Sequence, residues 1–241
     1  MPPTPTPPPE WPLPKFTLRV EDLAHPGAAL FLAHVEPEAA LRAAVLASFQ
    51  WLYATPACAP TNVRAILLVL RPMDGVAYTS GSHTEKEIHL SLDHIVNSAA
   101  RARAEILGVL VHEVVHCYQH NAKGTAPGGL IEGVADYVRL HAELAPPHWV
   151  RAVRAGDKWD AGYQTTAYFL DWVEAQAGAG TVRALNAALL DREYEEAVFA
   201  RLGGAPVGEL WRRYKVALGA DGGPDEDEGF TLVPSYNPVY V

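Results

Sequence analysis

The sequence predicts an α+β protein, with a strand-rich first half and a mainly helical second half. Three observations predict it. Short β-rich runs are confined to the residues before Asp93, and helical periodicity then runs with few breaks from Ala102 to Leu218. At the junction lies LVHEVVHCYQHN (residues 110–121), an apolar helical run that carries histidines and a glutamate. With 241 residues, 49% of them hydrophobic, the chain is long enough for one full-sized domain with its own core.

Taken in order, the first 14 residues are proline-rich, extended and outside the core. A single domain is expected over residues 15–218. Phe16 to Val20 alternates as a half-buried strand does, and Ala29 to Val35 is read as its antiparallel neighbour across His25, Pro26 and Gly27. Glu38 to Tyr53 is a helix, with Leu41, Val45, Phe49 and Leu52 on one face. Val63 to Leu70 reads as a buried strand, followed by the turn Pro72-Met73-Asp74-Gly75 and two further strands, Val76 to Ser80 and Glu87 to Leu92. Asp93 is placed as the cap of a short helix before the long one from about Ala102 to Asn121. Helices then follow at Leu130 to Glu143, Tyr163 to Gln176, Thr181 to Leu190, Tyr194 to Leu202 and Val207 to Leu218. Residues 219–241 form an acidic, glycine-rich linker and an apolar tail, FTLVPSYNPVYV.

Composition excludes several functions. The net charge of −9 offers no basic surface to track phosphates, so nucleic acid is not an expected partner. No apolar run reaches the roughly 18–20 residues of a membrane span, so no membrane partner is expected either. The first residues have neither the basic start nor the apolar core of a secretory signal, which places the chain in the cytoplasm unless a leader has been removed. Two cysteines, Cys58 and Cys117, cannot form a disulfide framework.

The chemistry is carried by two segments. His112 and His116 are four apart on one helix face and can point at one ion, while the Glu113 carboxylate leaves in an adjacent direction, toward a water on that ion. This is H-E-x-x-H as zinc hydrolases use it. A largely apolar helix has no routine reason to carry two histidines and a carboxylate, and coordination of Zn²⁺ satisfies them. A third protein ligand is needed, with Glu132, Asp136, His120 and His141 as candidates. In LIEGVAD (residues 130–136) Glu132 and Asp136 again share one face, so Glu132 is assigned as ligand and Asp136 as acceptor for a histidine ring N–H.

HEVVHCYQHNAKGTAPGGLIEGVADYVRLHAELAPPHW and KWDAGYQTTAYFLDW resemble the plant basic secretory protein family, zinc peptidases with fungal and bacterial relatives. The similarity runs from about Phe16 to Leu218 and includes DGVAYTSGS and EIHLS. It implies a zincin-like architecture, with a small twisted N-terminal sheet packed on the active-site helix and a mainly helical C-terminal half. The E-x-x-x-D after H-E-x-x-H is similar to the thermolysin-type arrangement, which supports Glu132 and Asp136 in the roles above. The chain departs from the plant pattern in being acidic and in its proline-rich and acidic extensions, and no leader is read in its first residues, so extracellular defence roles are not carried over.

The expected reaction is hydrolysis of peptide bonds in a peptide or protein substrate, with Glu113 as general base and then acid, and Tyr163 as first choice to stabilise the oxyanion, ahead of His141, His148 and Tyr168. In zincin-like folds an edge strand pairs with extended substrate; Val76 to Ser80 is that strand here. Two alternatives are a zinc hydrolase acting on a small amide-bearing metabolite and a binding module on a relict scaffold, against which the retained Glu113 argues. The apolar tail is also placed as an internal inhibitor lying in the chain's own cleft.

Overall fold

A computed structural model describes residues 10–154 and 156–219. The tail FTLVPSYNPVYV, the inhibitory role given to it and most of the proline-rich start lie outside the described residues. The fold is α+β. Strand β1 (Lys15–Val20) is followed by helices α1 (Pro26–His34) and α2 (Pro37–Leu52), then by strands β2 (Ala65–Arg71), β3 (Ala77–Gly81) and β4 (Glu85–Ser91). Helices complete the described chain: α3 (Leu92–Asn97), α4 (Ala102–Tyr118), α5 (Gly128–His141), α6 (Tyr163–Ala177), α7 (Thr181–Ala188), α8 (Ala197–Gly203) and α9 (Val207–Ala217).

The sheet order is β1-β2-β4-β3, with β1, β2 and β4 parallel and β3 antiparallel to β4 at one edge. Parallel neighbours need a long crossover, which α1 and α2 supply between β1 and β2. The strand expected at Ala29 to Val35 is therefore corrected to helix α1. Pro26 at its first turn has no N–H to leave unsatisfied, the His25 Nδ1 accepts the Gly27 N–H at 3.1 Å, and no β-branched residue interrupts the run before Val35. The cap of α3 is likewise not Asp93 but Ser91, whose hydroxyl accepts the His94 N–H at 3.2 Å; Asp93 sits in the first turn, where its charge favours the helix N-terminus.

Register places Leu18, Leu68, Ile88 and Thr79 in one row across the inner face of the sheet. Leu68 and Ile88 are fully buried, as are Ile66, Leu70 and Leu90 in neighbouring rows, and this face meets the helical layer. Burial on that scale, at about 25 cal/mol per Å² of apolar surface, is what holds α4 beneath the sheet. Helix α4 packs against α2, α5, β3 and β4, so most of its residues are buried. Trp11 stacks on Phe49 with ring centroids 5.4 Å apart, and Leu13 packs on the same core, so the end of the proline-rich stretch touches the core rather than standing clear of it. No helix among the described residues is long and apolar enough to cross a membrane.

Candidate metal centre

The centre begins with the 3.6-residue period of α4. His112 and His116 lie one turn apart, and their rings meet at 85° with centroids 4.9 Å apart. Their Nε2 atoms face each other at 3.2 Å. Helix α5 adds the Glu132 carboxylate, whose Oε2 lies 3.1 Å from His112 Nε2 and 3.7 Å from His116 Nε2. These three donor atoms can hold a metal ion. Two imidazoles and a carboxylate are borderline-soft and hard donors suited to a divalent cation, and the arrangement of three converging lone-pair atoms in a half-buried setting fits one.

One turn further along α5, Asp136 Oδ1 accepts from His112 Nδ1 at 2.6 Å. A carboxylate has no proton to offer, so the hydrogen is on Nδ1, which leaves Nε2 for the ion. Burial disfavours the imidazolium of His112, but Asp136 and Glu132 outweigh it and raise its pKa to about 10. Burial also pushes the Glu132 carboxyl up, and its hydrogen bonds with His112 and His116 more than reverse that, holding it well below the usual carboxylate range. A metal ion at His112 Nε2 competes with the second proton that the neighbouring carboxylates favour on that ring.

Glycines bring the pieces close. A Cβ on Gly129 would lie 1.8 Å from the Asp160 carbonyl oxygen, and one on Gly133 would lie 2.2 Å from Thr166 Cγ2. Two glycines on one face of α5 therefore let the start of α6 descend onto it. Thr166 Oγ1 accepts the Gly162 N–H at 2.9 Å and donates to the Trp159 carbonyl at 2.8 Å, pinning the turn that carries Tyr163. Tyr163 has φ of +46°, a left-handed conformation that costs a bulky residue about 1–2 kcal/mol. In return its ring lies nearly parallel to that of His112, with centroids 6.1 Å apart and planes at 12°.

Glu113 is buried, and its charge acts on His112. The Thr79 hydroxyl, from β3, lies 2.7 Å from Glu113 Oε2 and 2.9 Å from the Glu113 carbonyl oxygen. Thr79 was not singled out in the sequence, although the alternation of AYTSG puts it on the same face as Ala77, under the sheet. A cleft of about 260 Å³ opens beside the donor atoms, lined by Thr79, His116, Gln119, Asn121, Ile131 and Glu132.

The remaining sequence candidates go elsewhere. The His120 ring meets Tyr53 edge-on and its backbone N–H donates to Asn186. His141 lies against Trp51 and Tyr137 and within 3.1 Å of Asp171. His148 is exposed, and Tyr168 is stacked under the Arg151 guanidinium at 4.8 Å. Of the histidines that the sequence did not mark as candidates, His83 is exposed, His89 stacks on Tyr78 and His94 pairs with Glu105. Cys58 and Cys117 are free thiols; burial pushes that of Cys117 up to about 12, which keeps it protonated and inert.

Fold and site together define an α+β protein whose central helices bring two histidines and a carboxylate together where they could hold a metal ion, with the charge of a buried glutamate, Glu113, acting on His112. Residues 13–214 match a family of peptidases of plants and bacteria, and the chain belongs to that family. No curated protein and no solved structure matches it.

Proposed function

We propose that the protein is a zinc-dependent peptidase, its chemistry carried by residues 15–218 as one zincin-like domain acting on peptide or protein substrates. The observation that carries this reading is the convergence of His112 Nε2, His116 Nε2 and Glu132 Oε2 on one point, with buried Glu113 near enough for its charge to act on His112. Tetrahedral zinc with bonds of about 2.0–2.1 Å sets its ligand atoms about 3.3 Å apart. The observed separations of 3.1, 3.2 and 3.7 Å bracket that value, so little movement is needed to close on the ion. Bound zinc supplies Lewis acidity, acidifying water at its open position and polarising the scissile carbonyl.

Glu113 takes the proton of the attacking water and hands it to the leaving amine. Asp136 keeps His112 in the tautomer that leaves Nε2 available. Tyr163 is the proposed donor to the developing oxyanion, a contribution on the order of 3 kcal/mol where the donor is preorganised. Strand β3 stands at a sheet edge next to the cleft, which supports backbone pairing with an extended substrate.

The test compares wild type with His116→Ala and Glu113→Gln, following bound metal and cleavage of a peptide library in the same samples. Wild type is expected to hold about one zinc, His116→Ala to lose it, and Glu113→Gln to retain it while cutting stops; each catalytic loss is expected to be at least about 100-fold. Protein that cannot be loaded with zinc would sink the reading. Zinc without peptide cleavage would transfer it to small amide-bearing substrates.

A further inference from the structure

We propose that Thr79 is the positioning residue that sets the Glu113 carboxylate in register with the substrate backbone, an inference that rests on the peptidase reading above. Two observations meet at this one residue. Its hydroxyl is within hydrogen-bond distance of both Glu113 Oε2, at 2.7 Å, and the Glu113 carbonyl oxygen, at 2.9 Å. One hydroxyl has one proton, so it donates to one of these two oxygens or is shared between them, and in either case the side chain joins the edge strand to Glu113.

The second observation is the phase of the β3–β4 ladder. Ser91 N–H donates to Val76 O at 2.9 Å and Ser82 N–H donates to Glu85 O at 2.8 Å, which places Val76 and Ser82 in the set whose backbone faces β4. In an antiparallel pair this set alternates, so Tyr78 and Ser80 also face β4, while Ala77, Thr79 and Gly81 turn their N–H and C=O to the opposite side. Among the described residues no strand pairs with that side. Thr79 therefore offers its backbone to an incoming extended peptide and its hydroxyl to the base.

The consequence is geometric. A glutamate has several rotatable bonds, and a free one samples positions from which it cannot reach the attacking water. A peptide paired with the Thr79 backbone has its nearest peptide bonds at a set offset along the strand. Because the same residue holds Glu113, strand pairing and base placement share one reference point. Displacement of a reacting group by about 1 Å can cost on the order of 100-fold in rate.

Thr79→Val keeps size, β-branching and strand preference but removes the hydroxyl; Thr79→Ser keeps the hydroxyl; Thr79→Ala is the second hydroxyl-free variant should Thr79→Val not fold. Metal content, melting temperature, kcat and KM on one peptide, and the crystallographic position of the Glu113 carboxylate are measured for each. The expected result for Thr79→Val is wild-type metal content and melting temperature, unchanged KM, kcat lower by about 10- to 100-fold, and a Glu113 carboxylate displaced from its wild-type position. Thr79→Ser is expected to restore both kcat and the carboxylate position. The inference is overturned if Glu113 stays in place in the hydroxyl-free variant, if kcat is unaffected, or if serine restores nothing. Wild type that cuts no peptide removes the peptidase reading alone, since the crystallographic comparison still decides whether Thr79 holds Glu113.

Discussion

His112 is specified from two sides: its Nε2 faces His116 and Glu132, and its Nδ1 donates to Asp136. The sequence alone pairs His112 with His116, because four residues make one helical turn. It also places Glu132 and Asp136 on one face of a second helix, but their distance from the histidines is set by packing between α4 and α5. Replacing Asp136 by Asn removes the charge that holds the Nδ1 proton and leaves a buried amide N–H₂ beside the ring. Metal affinity is expected to fall by at least about 10-fold, measured by competition with a chromogenic chelator, with the fold intact by circular dichroism.

At the scale of elements, the approach of α6 to α5 decides where Tyr163 stands. Gly133→Ala would place a methyl group 2.2 Å from Thr166 Cγ2, and Thr166 is the side chain that pins the Gly162 turn. Overpacking of this kind costs about 1–3 kcal/mol, so urea unfolding should show a loss of that size together with a displaced Tyr163 ring in a crystal structure. The helices themselves were legible from apolar periodicity, within a few residues at each end. Helix α1 was not: its nine residues PGAALFLAH are apolar nearly all round, so no period separates strand from helix. Its cap on His25 and its contact with the backbone of Leu92, which a Cβ on Gly27 would approach to 2.3 Å, are the features that decide it, and the second is a tertiary one.

Across the whole molecule, one buried charge cluster ties three helices together away from the metal position. Glu105 of α4 meets His94 of α3 at 2.9 Å and Arg139 of α5 at 3.1 Å, with Arg101 alongside. Gly108 makes room for it, since a Cβ there would lie 2.6 Å from Arg139 Nε. Burial pushes the Glu105 carboxyl up, but the hydrogen bond from His94 and the charges of Arg139 and Arg101 outweigh it and hold it down at about 2, from an ordinary value of 4.5. Between those values the unfolded chain binds the proton and the folded one does not. This group's stabilisation is therefore complete above about pH 4.5 and is lost as pH falls toward 2. Glu105→Gln should be less stable at neutral pH, with Arg139 left without a charge partner, and should show a shallower loss of stability in acid, read from urea midpoints across that range.

By itself the sequence determined the order of strands and helices after residue 36, the pairing of His112 with His116 and of Glu132 with Asp136, and the position of Glu113 next to them, because all of these follow from periods of two or 3.6 residues along one chain. Only the tertiary structure decided the parallel placement of β1 beside β2, the convergence of α4 and α5 on one point, the arrival of Tyr163 over His112 and the contact of Thr79 with Glu113. Each of these joins residues far apart in sequence through packing and close glycine contacts, and such distances leave no periodic trace in the chain.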